Sequence, residues 1–236
     1  KPLLGKRLIF MLVSIDNERL IAGFTTKFGG VSSGVYAELN LAMHVGDNAN
    51  NVEKNRQILC QKIGANRLIF MDQIHSDKVE ALNDINQILD PCDSIFTGIS
   101  KVGLCVMVAD CSPVLLYDKR LNLIAAIHAG RAGVVNKIIS KTVDKMGSNP
   151  NDIVAIIGPN IKQKCYNIGN MELGEFNKFI KNGYFDMDKS IEFELENLGI
   201  KNMQFSMVCN HCDDRFYSYR KSKVTGRFAG FIMLKG

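Results

Sequence analysis

A series of short apolar runs, each stopped by turn-forming residues and interleaved with helix-period segments, constrains this chain most. β-prone runs occur at 8–15, 20–26, 68–73, 103–109, 114–117, 123–127, 153–157, 204–208 and 228–234, and most end at Gly, Asp, Pro or Asn. The 103–109 run is apolar almost throughout, which suits a strand covered on both faces. Helical spacing is clear at 51–63, where Val52, Leu59 and Ile63 precede Gly64. It recurs at 134–146, where Val135, Ile138, Ile139 and Met146 precede Gly147. A third helix is expected over 188–198, with Asp188 as N-cap and Gly199 as C-cap. Strands alternating with helices imply an α/β fold built on mixed β-sheets. With 46% hydrophobic and 22% charged residues and no linker, repeat or shift in composition, 1–236 reads as a single domain.

Several function classes recede at once. No apolar stretch approaches the roughly 20 residues of a membrane helix, so no membrane partner is expected. The opening Lys1-Pro2-Leu3-Leu4 reads as a trimmed end and not as a signal peptide, which makes the cytoplasm the expected compartment. Seven scattered cysteines, an odd number, suit reduced thiols better than a disulfide framework. The net charge of +5 is spread along the chain and gives no nucleic-acid footprint.

Three residues are placed where apolar runs stop: His75 after Asp72-Gln73-Ile74, Cys111 in Ala109-Asp110-Cys111-Ser112-Pro113, and His128 before Ala129-Gly130. A side chain at a strand end is held by the sheet and still faces a cleft. Two imidazoles and a thiolate suit zinc with one open coordination position, and also copper. Spacing alone leaves two readings open, because a strand-end histidine also serves as a hydrogen-bonded structural residue and a buried cysteine as a small hydrophobe. After His128, the small residues of Ala129-Gly130-Arg131-Ala132-Gly133 lead into the 134–146 helix, and a helix N-terminus there suits an anion.

Other motifs are less specific. Cys209-Asn210-His211-Cys212 is a C-x-x-C without a second pair, expected to be structural or a lesser metal-scavenging site. Gly29-Gly30 with Gly34 matches no phosphate-binding glycine signature and reads as a turn. The H-x-E with P-C-x-x-C pattern of zinc deaminases is absent, since Pro91-Cys92 lacks the second cysteine.

An ordered set of motifs spans about residues 23–234. It comprises Thr25-Thr26-Lys27-Phe28-Gly29-Gly30-Val31-Ser32, Leu39-Asn40-Leu41, His44-Val45-Gly46-Asp47, Asn55-Arg56, Gln73-Ile74-His75 and Ala109-Asp110-Cys111-Ser112-Pro113-Val114. His128-Ala129-Gly130, Gly158-Pro159, Cys165-Tyr166, Ser218-Tyr219-Arg220 and Thr225-Gly226-Arg227 complete it. In order and content it resembles the laccase-domain family, variously called polyphenol oxidase, purine nucleoside phosphorylase or peptidoglycan editing factor. The resemblance implies a four-layered α/β/β/α domain with a metal at His75, Cys111 and His128. It further implies zinc-dependent phosphorolysis of adenosine, inosine, guanosine and methylthioadenosine, and adenosine deamination. Copper-dependent phenol oxidation is the family's other described activity. The chain departs from the family pattern at Lys27, where Arg is common, at Ser76, where Gly is common, and at Arg131-Ala132, where Trp-Arg is common.

The chemistry sorts these expectations. A multicopper oxidase needs several His-X-His pairs, and this chain has four histidines and no such pair. Phosphorolysis needs cations for phosphate and donors for the departing base. Lys27, Arg56 and Arg131 are the phosphate candidates; Asn40 and His44 complete the expected substrate contacts; Asp110 or Asp72 is the candidate proton relay. The expected partners are thus purine nucleosides and phosphate. Three classes stay open: a zinc-dependent nucleoside enzyme with copper-dependent polyphenol oxidation as its variant, a hydrolase with Cys111 as nucleophile and His128 as base, and a peptidoglycan editing role.

Overall fold

In chain order the strands are β1 (Met11–Asp16), β2 (Leu20–Thr25), β3 (Arg67–Phe70), β4 (Val79–Ala81), β5 (Ser94–Thr97), β6 (Val102–Val108), β7 (Ser112–Asp118), β8 (Leu123–Ala129), β9 (Ile153–Ile157), β10 (Ile180–Lys181), β11 (Tyr184–Phe185), β12 (Asn202–Phe205) and β13 (Phe228–Leu234). The helices are α1 (Ala49–Ile63), α2 (Arg131–Val135), α3 (Ile138–Met146) and α4 (Met187–Leu198). The structure, a computed structural model, describes residues 10–236. The opening Lys1–Leu4 segment and the start of the expected 8–15 strand lie outside the described residues.

Two mixed sheets stack face to face. One has the order β1-β2-β13-β6-β3 and the other β12-β9-β7-β8-β5-β4. Strand alternation decides what each face meets. On β6, Leu104, Val106 and Val108 join Phe24, Phe228 and Ile232 against Leu115, Ile124, Ala126 and Ile156 of the opposite sheet. Cys105, between them in sequence, turns outward with Phe231 and Met233 to meet Leu59 and Ile63 of α1. On the other sheet the outward-facing residues Val114, Leu116, Ala125 and Ile127 pack beneath Val134, Ile138, Val143, Ile191 and Leu195 of α2, α3 and α4. The layers therefore run α1, sheet, sheet, α2–α4, the four-layered α/β arrangement the motifs implied. No helix among the described residues is long and apolar enough to cross a membrane.

Local chemistry shifts several boundaries. The first helix begins before residue 51 because the Asn48 side chain accepts from the N–H groups of Asn50 and Asn51, a cap worth about 1 kcal/mol. The expected 134–146 helix is two helices: α2 starts at Arg131, and the chain breaks at Lys137, whose φ of 59° is left-handed. In the third helix the cap is Asp186 and not Asp188, its carboxylate accepting from Lys189 N–H, while Gly199 closes the end as expected. Pro113 falls within β7. It lies at the second residue opposite His128, and its carbonyl accepts from Gly158 N–H, so its missing donor falls at the strand's start, where it is tolerated. Strands β4 and β5 were invisible in the apolar pattern because they are only a few residues long.

Candidate metal centre and substrate cleft

β6 and β7 belong to different sheets, so the chain crosses between layers at Ala109-Asp110-Cys111. Asp110 takes the sharp corner with φ of 110°. Its Oδ1 accepts from Ser218 Oγ (2.6 Å) and Asn210 Nδ2 (3.0 Å), and its Oδ2 from Arg220 N–H (2.6 Å). Three charge-assisted bonds hold a backbone conformation that a non-glycine residue disfavours. Cys111 is fixed at the exit of that corner. His128 is the penultimate residue of β8, and His75 lies in the loop after β3 with φ of 57°.

The Cys111 sulfur and one ring nitrogen of each histidine all lie within 4.8 Å of one another. The imidazoles meet edge to face, with centroids 4.8 Å apart. Gly130 keeps this ground clear. A Cβ built there would sit 3.1 Å from Cys111 Sγ, 3.7 Å from His75 Cδ2 and 3.8 Å from His128 Cε1.

Asp93 organises both histidines. Fully buried just before β5, it sits 2.7 Å by Oδ1 from His128 Nδ1. The same oxygen accepts the His75 N–H (3.0 Å), and Oδ2 accepts the N–H and hydroxyl of Ser76. A carboxylate on Nδ1 keeps a proton there and turns Nε2 toward the sulfur, the usual orientation of a metal-binding histidine. Burial opposes a charge on Asp93, but the His128 and Ser76 bonds outweigh it and bring its pKa down to about 2. Burial also resists charge on Cys111 and His128, yet each stabilises the other, so the thiol is pulled below and the imidazole pushed above its ordinary value. The sulfur is poised as thiolate, the form a metal binds. This sequence-distant aspartate was not anticipated: Pro91-Cys92 was weighed only against the deaminase pattern, and Asp93 was not singled out.

The three donors open into a cleft of about 550 Å³, whose lining includes His44, Gln73, Met107, Asp110, Tyr166, Tyr219, Arg220 and Arg227. Arg220 lies 5.4 Å from the Tyr166 ring centroid and Arg227 5.8 Å from that of Tyr219. Gln73 is committed at both ends, its amide donating to Met107 O and accepting from Met107 N–H. Of the expected substrate contacts, His44 lines this cleft. Burial and the Arg227 charge lower its pKa, which favours the neutral imidazole.

The other candidates are placed elsewhere. Asn40 is fully buried outside the cleft lining, and its Oδ1 accepts from Arg227 N–H (2.9 Å) while its amide donates to Asp47. Arg56 stacks 3.9 Å above Phe70, donates to Leu41 O and reaches Met107 Sδ from behind. Lys27 lines a separate concavity of about 360 Å³ with Tyr217 and Lys221. Arg131 is the first residue of α2, and its charge acts on Tyr166 without reaching the cleft lining. Asp72 is exposed outside the lining. Sequence reasoning passed over Tyr166, Tyr219, Arg220 and Arg227 as site residues, although the motifs containing them were the available signal.

Comparison with known proteins places this geometry. The purine nucleoside phosphorylase of Haemophilus influenzae is 34% identical over 231 residues, covering 88% of this chain and 91% of its own. The Bacillus subtilis purine nucleoside phosphorylase YlmD is 31% identical over 251 residues, covering 93% and 90%. Among solved structures, Neisseria meningitidis protein NMB0706, of the DUF152 family model, superposes with a TM-score of 0.89 at 30% identity, covering 97% of this chain and all of the other. The family model described as multi-copper polyphenol oxidoreductase laccase matches residues 21–235, a span that takes in every strand from β3 to β13, the crossover corner and every residue of the cleft. The chain belongs to that family.

Proposed function

We propose that this protein is a zinc-dependent purine nucleoside phosphorylase, with His75, Cys111 and His128 as the zinc ligands. One observation carries the reading: a His₂Cys donor set floors a cleft whose lining pairs each of two tyrosines with an arginine. Its relatives named purine nucleoside phosphorylase support it.

The residues divide the work as follows. Arg220 and Arg227 hold phosphate and bring one of its oxygens to the ribose C1′, converting an encounter into a positioned attack. Tyr166 or Tyr219 gives the purine ring a stacking face. Neutral His44 offers a hydrogen bond to the departing base, and the arginine charges stabilise its developing negative charge. A divalent metal held by the three ligands supplies Lewis acidity at the cleft floor. Asp110, engaged by three donors, anchors the Cys111 corner and the Arg220 backbone. The substrates are adenosine, inosine, guanosine and methylthioadenosine with phosphate, and adenosine deamination is a secondary reaction of the same cleft. The chain acts as one catalytic unit, and its free thiols suit the reducing cytoplasm.

Two competing readings have a specific basis. Copper(II) outcompetes zinc at nitrogen and sulfur sites, so phenol oxidation belongs to copper-loaded protein. The Cys111–His128–Asp93 chain also has the form of a nucleophile, base and orienting acid, but that reading gives no role to His75, whose ring converges on the same sulfur. Chelator-stripped protein restored with zinc tests the proposal. Inosine cleavage should vanish on stripping and return with zinc; cleavage by metal-free protein at the original rate would favour the hydrolase.

A further inference from the structure

Away from the cleft floor, a second group of soft donors has no part in the reaction above. Cys165, at the end of a 3-10 turn, meets Cys209, His211 and Cys212, more than forty residues onward in sequence. The donors of Cys165, His211 and Cys212 lie within 4.8 Å of one another. Cys165 Sγ is 3.3 Å from Cys212 Sγ, and Cys212 Sγ is 3.9 Å from His211 Nδ1. The Cys209 side chain contacts both Cys165 and Cys212.

The backbone around Cys209 has the form of a metal-binding knuckle. Its carbonyl accepts from the N–H groups of Cys212 (3.1 Å) and Asp213 (3.0 Å), which closes the C-x-x-C into a tight turn. The Lys162 N–H points at Cys209 Sγ from the opposing segment (3.5 Å), and the His211 and Cys212 N–H groups face the same sulfur. Sulfur that collects backbone donors is prepared to carry negative charge. Cys165, His211 and Cys212 converge on one point, and Cys209, beside two of them, would complete the Cys₃His set of closed, tetrahedral zinc sites. A disulfide uses only two of the four groups. The observed sulfur separation also exceeds the ~2.0 Å of such a bond and is nearer the ~3.8 Å between two thiolates on one tetrahedral zinc.

We propose that Cys165, Cys209, His211 and Cys212 form a second metal site, a structural zinc that staples the 163–166 turn to the 209–220 segment. Both joined segments build the cleft. Tyr166 follows Cys165 directly, while Asn210 donates to Asp110 and the same segment continues to Tyr219 and Arg220. The staple therefore sets the spacing of the cleft walls without touching substrate.

The test separates the two sites by metal stoichiometry. Wild-type protein, purified under reducing conditions and dialysed against a weak chelator, should carry two zinc ions per chain, and Cys111→Ala one. Cobalt(II) loaded into Cys111→Ala should show thiolate-to-cobalt charge-transfer absorption, which weakens in Cys111→Ala/Cys212→Ser and is lost when Cys165→Ser is added. Wild-type protein holding a single zinc that Cys111→Ala abolishes would overturn the proposal. So would cobalt-treated Cys111→Ala without charge-transfer absorption, or a native chain isolated metal-free with Cys165 and Cys212 joined as a disulfide.

Discussion

Asp93 Oδ1 lies 2.7 Å from His128 Nδ1 with both side chains buried, and the same carboxylate oxygen receives the backbone N–H of His75. One acidic residue thus aims the proposed ligand on β8 and pins the loop that carries the other histidine. Asp93→Asn keeps the shape and loses the charge. Zinc affinity should fall by roughly 10–100-fold, read by competition against a chromophoric chelator. An unchanged affinity would show that the histidines are oriented without Asp93.

Gly130→Ala isolates the steric side of the site. Its φ of −74° is ordinary for any residue, so the added methyl acts only through its 3.1 Å approach to Cys111 Sγ. Thermal stability should change little, while metal affinity drops by about tenfold, or ~1.4 kcal/mol. Calorimetric titration with zinc beside a melting curve distinguishes this from a general loss of fold.

Arg227→Ala should raise the KM for phosphate about tenfold, the loss of one charge-assisted contact of ~1.5 kcal/mol, and change that for nucleoside much less. Arg131→Ala, outside the cleft lining, should leave the phosphate KM within about twofold. Steady-state kinetics with each substrate varied in turn reads both. Equal effects of Arg227→Ala on the two KM values would remove Arg227 from the phosphate position.

Glu194 gives a pH signature independent of the metal. Its Oε1 accepts from the Ser140 N–H and hydroxyl, tying α4 to α3, while its buried Oε2 has no partner. Burial outweighs the Ser140 bonds and raises its pKa from 4.5 to about 7. The folded state therefore holds this proton more tightly than the unfolded one. The contribution is complete below about pH 4 and is lost as pH rises through about 7, a loss of roughly 3 kcal/mol by pH 8. Glu194→Gln should flatten that stretch of the stability profile in urea titrations from about pH 5 to 8; a profile parallel to wild type would refute it.

The apolar runs carried the central strands because β6, β7, β8 and β13 are covered on both faces, and continuous hydrophobicity marks such strands directly, whereas the layer order came from the family resemblance. The convergence of the three donors was partly legible for a related reason, since Cys111 and His128 sit at the ends of buried strands, whereas His75 lies in the loop after β3. What pattern could not carry was long-range polar geometry. Asp93 and the Asp110 corner act through hydrogen bonds to residues 35 and 100 or more positions away. Asn40, expected among the substrate contacts, is fully buried and accepts from the Arg227 N–H. The break at Lys137 was equally hidden, because its left-handed backbone leaves the apolar spacing of α3 intact.

The most direct test of the central claim follows both products of inosine cleavage by zinc-loaded protein, with and without phosphate. The account predicts ribose 1-phosphate and hypoxanthine in equal amounts, with no base released when phosphate is omitted. Base release that continues unchanged without phosphate, accompanied by free ribose, would contradict it.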